Sequence, residues 1–573
     1  MRFLTCGECG ILVELTDLDE TLRIFAALRA FQKTDMPPET SQDALRAVTQ
    51  LIPAAHTILI SFDPLIASRT AVIAAVRTLD ASDDVCRRSR NVEIPVIYDG
   101  EDLTDIAQLL GISTSQVITR HCAGAWSVAF VGFAPGFAYL TGGDEIFNVP
   151  RRKVPRLSVP AGAVGLAGAF SGIYPRASSG GWQLLGHTET AMWNEFANPP
   201  ALLQPGDMVR FVPAREHAVI GAVSDSSDGN ESDEQGISDV TDAAGATSGE
   251  AVTALEAVRP GLLTTFQDDG RRAANMGVTG SGAADPRSFH LANTLVGNST
   301  DTPVLEITGG GACFTSHGDM VVAVCGAPVP IAISGKTGRT AVIQQEAMLL
   351  RDGETIEIGV PTSGLRDYLA VRGGFDVVRS LGSASTDTMS GIGPKPIVAG
   401  QLLPVLSYGA QTNGMYVNNT HAGGVGMPEP WPNHLPESGD ITELHVHLGP
   451  RDDWFTAAGI SDFLNRVWTV SAQSNRVGLR LQGECPLERR DAKELASEAT
   501  LPGSIEVPTS GQPVVFLRDQ PVTGGYPVIA VLTAQSLDIA GQLPPGAKIR
   551  FRMSEAFEPD EQRAQSQETK EVR

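Results

Sequence analysis

No run in the 573-residue sequence approaches the roughly 20 consecutive apolar residues that a membrane-spanning helix needs, so a membrane partner is not expected. Positive charge is scarce. Lys and Arg total 43 against 66 Asp and Glu, a formal net charge of −23 at pH 7. That balance argues against nucleic acid or an anionic membrane surface as a partner. It leaves room for anionic small substrates, because a pocket inside an acidic protein can still be positive. The seven cysteines are odd in number and scattered, which excludes a disulfide framework. Cys6 and Cys9 form one C-x-x-C, with no second pair and no paired-His motif to complete a zinc site. The pair reads as a turn before the strand at 10–15, and no metal site is assigned. Met1 to Cys6 carry no long apolar segment of the signal-peptide kind, so the expected compartment is the cytoplasm. A Walker A loop is missing: Gly335-Lys336-Thr337 lacks the leading glycine at the required spacing. A Met-Lys-Met-type biotinylation site is missing too, so biotin chemistry would need a partner protein.

Glycine and proline are plentiful, at 60 and 37, and predict many turns between short strands. The length exceeds the roughly 250–300 residues at which single cores stop growing, so several domains are expected. The segment 222–252 is acidic and small-residued and contains no Lys or Arg. It cannot bury enough surface to offset its ordering entropy and reads as a linker. Residues 1–92 alternate strand and helix signals, with helical spacing at 21–32 and 41–51 and strands at 55–62 and 92–98. They predict a small α+β subdomain of ferredoxin-like type. Residues 93–221 and 253–553 switch to short apolar runs broken by Gly and Pro, which suit closed β-barrels. In the second stretch, 286–296 and 452–465 have helical patterning. Residues 554–573 form a polar tail. Leu203-Gln204-Pro205-Gly206-Asp207-Met208-Val209-Arg210-Phe211 and Leu543-Pro544-Pro545-Gly546-Ala547-Lys548-Ile549-Arg550-Phe551 end the two halves alike. The likeness reflects either two related barrels or ordinary Pro-Gly turn chemistry.

Named motifs then carry a resemblance. Val128–Leu140 (VAFVGFAPGFAYL), Pro150-Arg151-Arg152, Pro155-Arg156, Val159-Pro160-Ala161-Gly162 and Gly180–Gly186 (GGWQLLG) make residues 1–213 resemble the first of the two allophanate hydrolase subunits, also called the B subunit of 5-oxoprolinase. Gln267–Arg271 (QDDGR), Ser281–Asp285 (SGAAD), Leu369–Gly374 (LAVRGG), Ser385-Thr386-Asp387 and Thr523–Pro527 (TGGYP) make residues 258–551 resemble the second, or the C subunit of 5-oxoprolinase. The resemblance implies a mainly β chain: two cyclophilin-like barrel domains preceded by the small α+β subdomain, related to the carboxyltransferase part of urea carboxylase. The sequence departs from the family pattern at His187 (Arg expected), at Arg272-Ala273 (Pro-Gly usual) and at Ala284 (commonly Met).

The chemistry of these residues defines the candidates. Gly132 to Phe137 combine glycines that let backbone N–H groups approach a ligand with aromatics that wall it from water, so Phe133, Pro135 and Gly136 are binding candidates; the same residues would equally serve as a bend and a core. Gln183 can donate to a carbonyl, and His187 has the side chain of a general acid or base. Asp268 and Asp269 are adjacent, so on a strand they face opposite ways. Arg271 offers a planar fork for a carboxylate or phosphate. With Asp387 they complete the catalytic set, against the plainer reading of a salt-bridged turn. Ser281, Arg372, Thr386, Arg476 and the Thr523-Gly524-Gly525-Tyr526 cradle are the remaining substrate or anion candidates.

The resemblance implies the fused B and C subunits of an ATP-dependent 5-oxoprolinase. ATP with Mg2+ would be the co-substrate, and a separately encoded lactam-utilisation protein, similar to the A subunit of 5-oxoprolinase, would be the partner. The two halves would pair within the chain, with a homo-oligomer allowed. Two other readings stand beside it. One is a biotin-dependent carboxyltransferase or allophanate-hydrolase-type component acting on urea-like amides. The other is a regulatory protein that binds a histidine kinase.

Overall fold

The computed structural model describes residues 1–32, 43–79, 90–152, 154, 156–214, 253–406, 435–436, 439–490, 493 and 495–554. The expected linker at 222–252 and all but the first residue of the tail at 554–573 lie outside the described residues.

The first unit is a four-stranded antiparallel sheet in the order Arg2–Cys6, Gly10–Glu14, Thr57–Phe62, Val48–Pro53. The C-x-x-C makes the turn of its first hairpin, where Cys6 pairs with Gly10. One face packs on the helices Leu18–Gln32 and Arg69–Arg77 through Ile11, Val13, Ile58, Ile60 and Val72. The α+β expectation holds, but the chain runs strand-strand-helix-strand-strand-helix rather than in the βαββαβ sequence of the ferredoxin-like motif. The helical spacing read at 41–51 is also corrected. A single short 3-10 turn, Asp43–Ala47, gives way to the strand Val48–Pro53. Val48, Thr49 and Ile52 are β-branched and pack well on a pleated surface, and Pro53 cannot continue a helix.

Residues 91–213 form a seven-stranded sheet: Gln183–His187, Ala163–Ala167, Phe170–Ile173, Ala138–Thr141, Trp126–Val131, Met208–Pro213, Asn91–Val96. The single bridge between Ile97 and His187 joins its ends. The strand Asn91–Val96 belongs wholly to this barrel, so the expected boundary at 92 falls inside it.

The stretch 253–553 holds two bodies where the sequence suggested one. Residues 254–405 build a six-stranded and a five-stranded sheet over a shared core of Leu255, Phe266, Phe314, Val322 and Leu369. Residues 441–553 close a separate seven-stranded barrel with its own core around Trp468 and Phe551.

The two barrels have the same topology. Read from Val528–Leu532, the second runs Ser504–Glu506, Val514–Phe516, Gly478–Gln482, Trp468–Val470, Lys548–Met553, Ile441–Leu448. Each position in that order has the same rank along the chain as its counterpart in the first barrel. Each barrel also carries one extra two-stranded ribbon, Arg156–Val159 with Ser178–Gly180 and Glu498–Ala499 with Thr523–Gly524. Side chains repeat as well. The Trp126 indole donates to the His121 carbonyl at 2.9 Å, and Trp468 donates to Phe463 at 3.1 Å. Phe211 stacks on His121 and Phe551 on Phe463, with centroids 4.3 and 4.4 Å apart. The paired Arg-Phe endings of the sequence are therefore equivalent strands.

Candidate functional site

The two barrels meet through a loop of the first and the ribbon of the second. Gly132–Phe137 follows the strand Trp126–Val131, and the Phe133 N–H donates to Thr523 Oγ1 at 2.9 Å. Gly132 is needed for this approach, since a Cβ there would stand 3.0 Å from both Thr523 Oγ1 and Thr523 Cγ2. The Gly136 N–H donates to the Met276 carbonyl at 3.0 Å, tying the same segment to the middle body. Phe133 and Phe137 belong to an aromatic cluster with Tyr139, Tyr174 and Trp182. The motif is thus both the bend and the docking surface for the other half.

A polar pocket of groups lies along this seam. The buried Tyr139 phenol faces the hydroxyls of Ser497 and Thr523 and the Arg151 guanidinium; burial raises its pKa. Arg151 Nη2 donates to Ser497 Oγ at 3.3 Å, and no carboxylate ion-pairs with Arg151 among the described residues. Its Nη1 lies beside Gly525, 3.5 Å from where a Cβ would stand. Glu506 closes the other side. On its strand Ile505 enters the barrel core, so Glu506 points the opposite way, under the ribbon that carries Gly524. A Cβ on Gly524 would collide with the Glu506 carboxyl. Burial raises the Glu506 pKa to about 8, against the opposing effects of the Tyr526 N–H and the Arg489 charge. Its Oε1 has no hydrogen-bond partner. Arg489 sits over the Tyr526 ring, 6.0 Å from the centroid.

The seam thus offers an unpaired guanidinium, three hydroxyls and a carboxyl that keeps its proton at neutral pH, set about two glycines. Such a set can hold an anionic amide and exchange a proton with it.

The other sequence candidates divide. Asp268, Arg271, Ser281, Thr386, Asp387 and Arg476 share one buried polar node beside the second barrel, but most are fully engaged there. Asp268 accepts from Ser383 Oγ and Ser385 Oγ at 2.6 Å and from the Ala384 N–H at 2.7 Å. Ser281 donates to Asp519 at 2.7 Å and to the Thr386 carbonyl at 3.0 Å. Arg476 pairs with Asp519 at 3.0 Å and with Glu306, and is 2% exposed, which leaves it no edge for a substrate carboxylate. Burial and the neighbouring Asp519 charge push the Asp387 pKa up, while Asp519 itself is held low because Arg476 outweighs its burial. Arg271 bonds to the Ser385 carbonyl through Nη2, while its Nε and Nη1 have no partner.

Asp268 and Asp269 lie just beyond the strand Leu263–Gln267; Asp269 is exposed where Asp268 is buried, and it contacts His290 at 2.8 Å. His187 pairs with Asp99 at 2.8 Å on the first barrel, and Gln183 donates to the Pro150 carbonyl at 3.2 Å. Arg372 donates from Nε to the Val296 carbonyl at the end of the helix Pro286–Val296. The structure brings none of these four into the buried node. Pro135 keeps its place in the docking segment beside Gly136. Arg151 and Tyr139 lie within the motifs Pro150-Arg151-Arg152 and Val128–Leu140 that carry the resemblance, but nothing in those motifs marks either as a site residue. Glu506 had no sequence signal, being one carboxylate in a short strand. Among the described residues no group of three or more His, Cys, Asp or Glu is placed to hold a metal ion. No helix among them is long and apolar enough to cross a membrane.

Comparison with known proteins covers both halves. The carboxyltransferase domain family matches residues 1–203 through its subdomains C and D, and residues 276–553 through its subdomains A and B. The chain is similar to the B subunit of 5-oxoprolinase from Escherichia coli O157:H7, 41% identical over 222 residues, which is 38% of this chain and 97% of that protein. It is similar to the C subunit of 5-oxoprolinase from Escherichia coli K12, 34% identical over 301 residues, 52% of this chain and 90% of that protein. Urea amidolyase of Saccharomyces cerevisiae is 32% identical over 320 residues, 52% of this chain but 16% of that protein. The crystal structure of TTHA0988 superposes with a TM-score of 0.75 at 30% identity, covering 95% of this chain and 100% of that one.

Proposed function

The chain belongs to the carboxyltransferase domain family in both halves, and from that premise we propose that it is the fused B and C component of an enzyme that opens the lactam of 5-oxoproline in an ATP-dependent reaction. The observation that carries the reading is the seam. Halves similar to two separately named subunits meet there, with Arg151 on one side of Gly524-Gly525 and the protonated Glu506 on the other. The near-complete cover of the two 5-oxoprolinase subunits, against 16% of urea amidolyase, favours the lactam over urea.

In this reading Arg151 pairs with the ring carboxylate. The lactam is an amide whose resonance resists attack. Phosphoryl transfer from ATP, with Mg2+, to the lactam oxygen removes that resonance and creates a leaving group. Water then adds at the carbon and gives up a proton, the C–N bond breaks with Glu506 supplying the proton the departing nitrogen needs, and a second water hydrolyses the acyl phosphate so formed, releasing phosphate and glutamate. Tyr139, Ser497 and Thr523 provide O–H groups for the developing oxyanion. A separately encoded lactam-utilisation protein completes the enzyme. No residue is assigned to ATP in this reading.

The test is to purify the chain, combine it with that partner protein, and follow glutamate released from 5-oxoproline with and without Mg-ATP. Release that requires all the components supports the reading. No release from an assembled complex overturns it.

A further inference from the structure

A cleft separate from the seam lies where the N-terminal sheet, the loop after Asp268 and the second barrel come together. Its larger cavity, about 270 Å³, is lined by Gln50, Arg271, Arg272, Thr279, Thr500 and Gln520, among others. It adjoins a second cavity of about 190 Å³, which shares Thr49, Gln50, Arg272 and Ala274 and adds Arg29 and Asn275. The ribbon Glu498–Ala499 with Thr523–Gly524 divides this cleft from the seam: Thr500 and Val522 line the cleft, while Gly524 abuts Glu506.

The charge of the lining is one-sided. In a chain of net charge −23, three arginines and several amide and hydroxyl groups line the two cavities, and no Asp or Glu does. Among the described residues none of the three arginines forms an ion pair. Arg29 lies 5.6 Å from the Phe25 ring centroid, and Arg272 is exposed. Arg271 is 4% exposed, and its Nε and Nη1 have no hydrogen-bond partner. Asp387, Asp268, Asp519 and Glu195 are near enough to favour its charge, yet burial outweighs them and lowers its pKa. The Nε and Nη1 atoms of Arg271 are sealed from the cleft, so Arg271 adds positive charge behind its wall, while the more open Arg272 and Arg29 present the planar forks whose geometry and charge suit an oxyanion.

We propose that this cleft is a binding site for a small oxyanion, a phosphate or carboxylate group, held by Arg272 and Arg29 with the charge of Arg271 behind them and neutral donors from Gln50 and Asn275. The larger cavity lies just below the range of roughly 300–1,000 Å³ usual for sites that enclose a drug-sized ligand, so it suits a single anionic group rather than a whole nucleotide. The proposal stands on the cleft alone and needs neither turnover nor a further protein.

The experiment is calorimetric titration of the purified full chain with inorganic phosphate, with ATP and with glutamate in separate runs. It is repeated on Arg272→Ala and Arg29→Ala, whose partly exposed side chains are expected to leave the fold intact, as checked by circular dichroism. Saturable binding of at least one probe is expected, weakened about tenfold by each substitution and falling with added salt. Phosphate binding identifies a free anion as the occupant, binding of ATP alone identifies a nucleotide's phosphate, and binding of glutamate alone a carboxylate. No saturable binding of any probe at millimolar concentration, or binding that both variants retain unchanged, overturns the proposal. Lactam opening plays no part in this readout, so the two readings fail independently.

Discussion

The Thr523 hydroxyl accepts a 2.9 Å hydrogen bond from the Phe133 N–H, joining loops 390 positions apart in the chain. The two loops belong to barrels of identical topology, and around this bond the unpaired Arg151 and the protonated Glu506 flank the same pair of glycines.

The halves are held by their own surfaces. Besides the Phe133–Thr523 bond, Arg451 pairs with Glu14 at 2.7 Å and Arg2 with Asp453 at 3.1 Å. Cys6, Leu12, Ile52 and Leu59 of the first sheet share an apolar cluster with Ala499, Val522 and Val531 of the second barrel. A protease site inserted near Gly236 and then cleaved is expected to leave one co-eluting species in gel filtration at micromolar concentration. Two separate peaks would show that only the covalent link holds the halves together.

Thr523→Val keeps the shape of the side chain and removes the acceptor for the Phe133 N–H. Losing one bond at a mostly buried site costs about 1–3 kcal/mol, so the affinity between cleaved halves should fall about 5- to 150-fold. Titration of one labelled half with the other measures it. An unchanged dissociation constant would mean that the bond contributes nothing to the seam.

Arg476 has a structural place rather than that of a substrate ligand. Burial disfavours its charge, but Asp519 and Glu306 outweigh burial and raise its pKa. Arg476→Met strands both carboxylates, and breaking a buried pair in this way costs about 3–5 kcal/mol. A marked fall in Tm is expected, with KM for substrate little changed in the protein that remains folded. A raised KM at unchanged Tm would restore it as a ligand.

Glu506 ties stability to pH. The folded chain holds its proton to about pH 8, whereas an ordinary Glu releases it near 4.5. Between those values the unfolded state binds fewer protons, so stability falls as pH rises and levels off above about 8. The slope from this group is at most about 1.4 kcal/mol per pH unit. Urea denaturation from pH 5 to 9 is expected to show a shallower decline for Glu506→Gln than for the parent chain. Parallel curves would show that the group is not protonated in the fold.

Much of the β architecture was legible because Gly and Pro mark the ends of short apolar runs, and the strands Gly10–Glu14 and Thr57–Phe62 follow the runs read at 10–15 and 55–62 closely. The helix Pro286–Val296 was legible in full, with Asp285 as its N-cap and Gly297 at its end. The division of 253–553 into two bodies was not, since both bodies have the same texture of short strands and only pairing across distant positions separates them. The site was legible as motifs but not as roles. Arg476 looked like an anion ligand, because no sequence pattern shows that Asp519 and Glu306 occupy its whole guanidinium. Glu506 was invisible, because its character comes from the ribbon folded over it and not from its neighbours in the chain.

The central claim is that the reacting lactam lies at the seam, with its carboxylate on Arg151. The direct test is the KM for 5-oxoproline of Arg151→Met, assembled with its partner protein and eluting normally in gel filtration. Loss of a charge-assisted pair predicts a KM raised about tenfold or more, with the KM for ATP unchanged. A KM for 5-oxoproline equal to that of the parent enzyme would contradict the account.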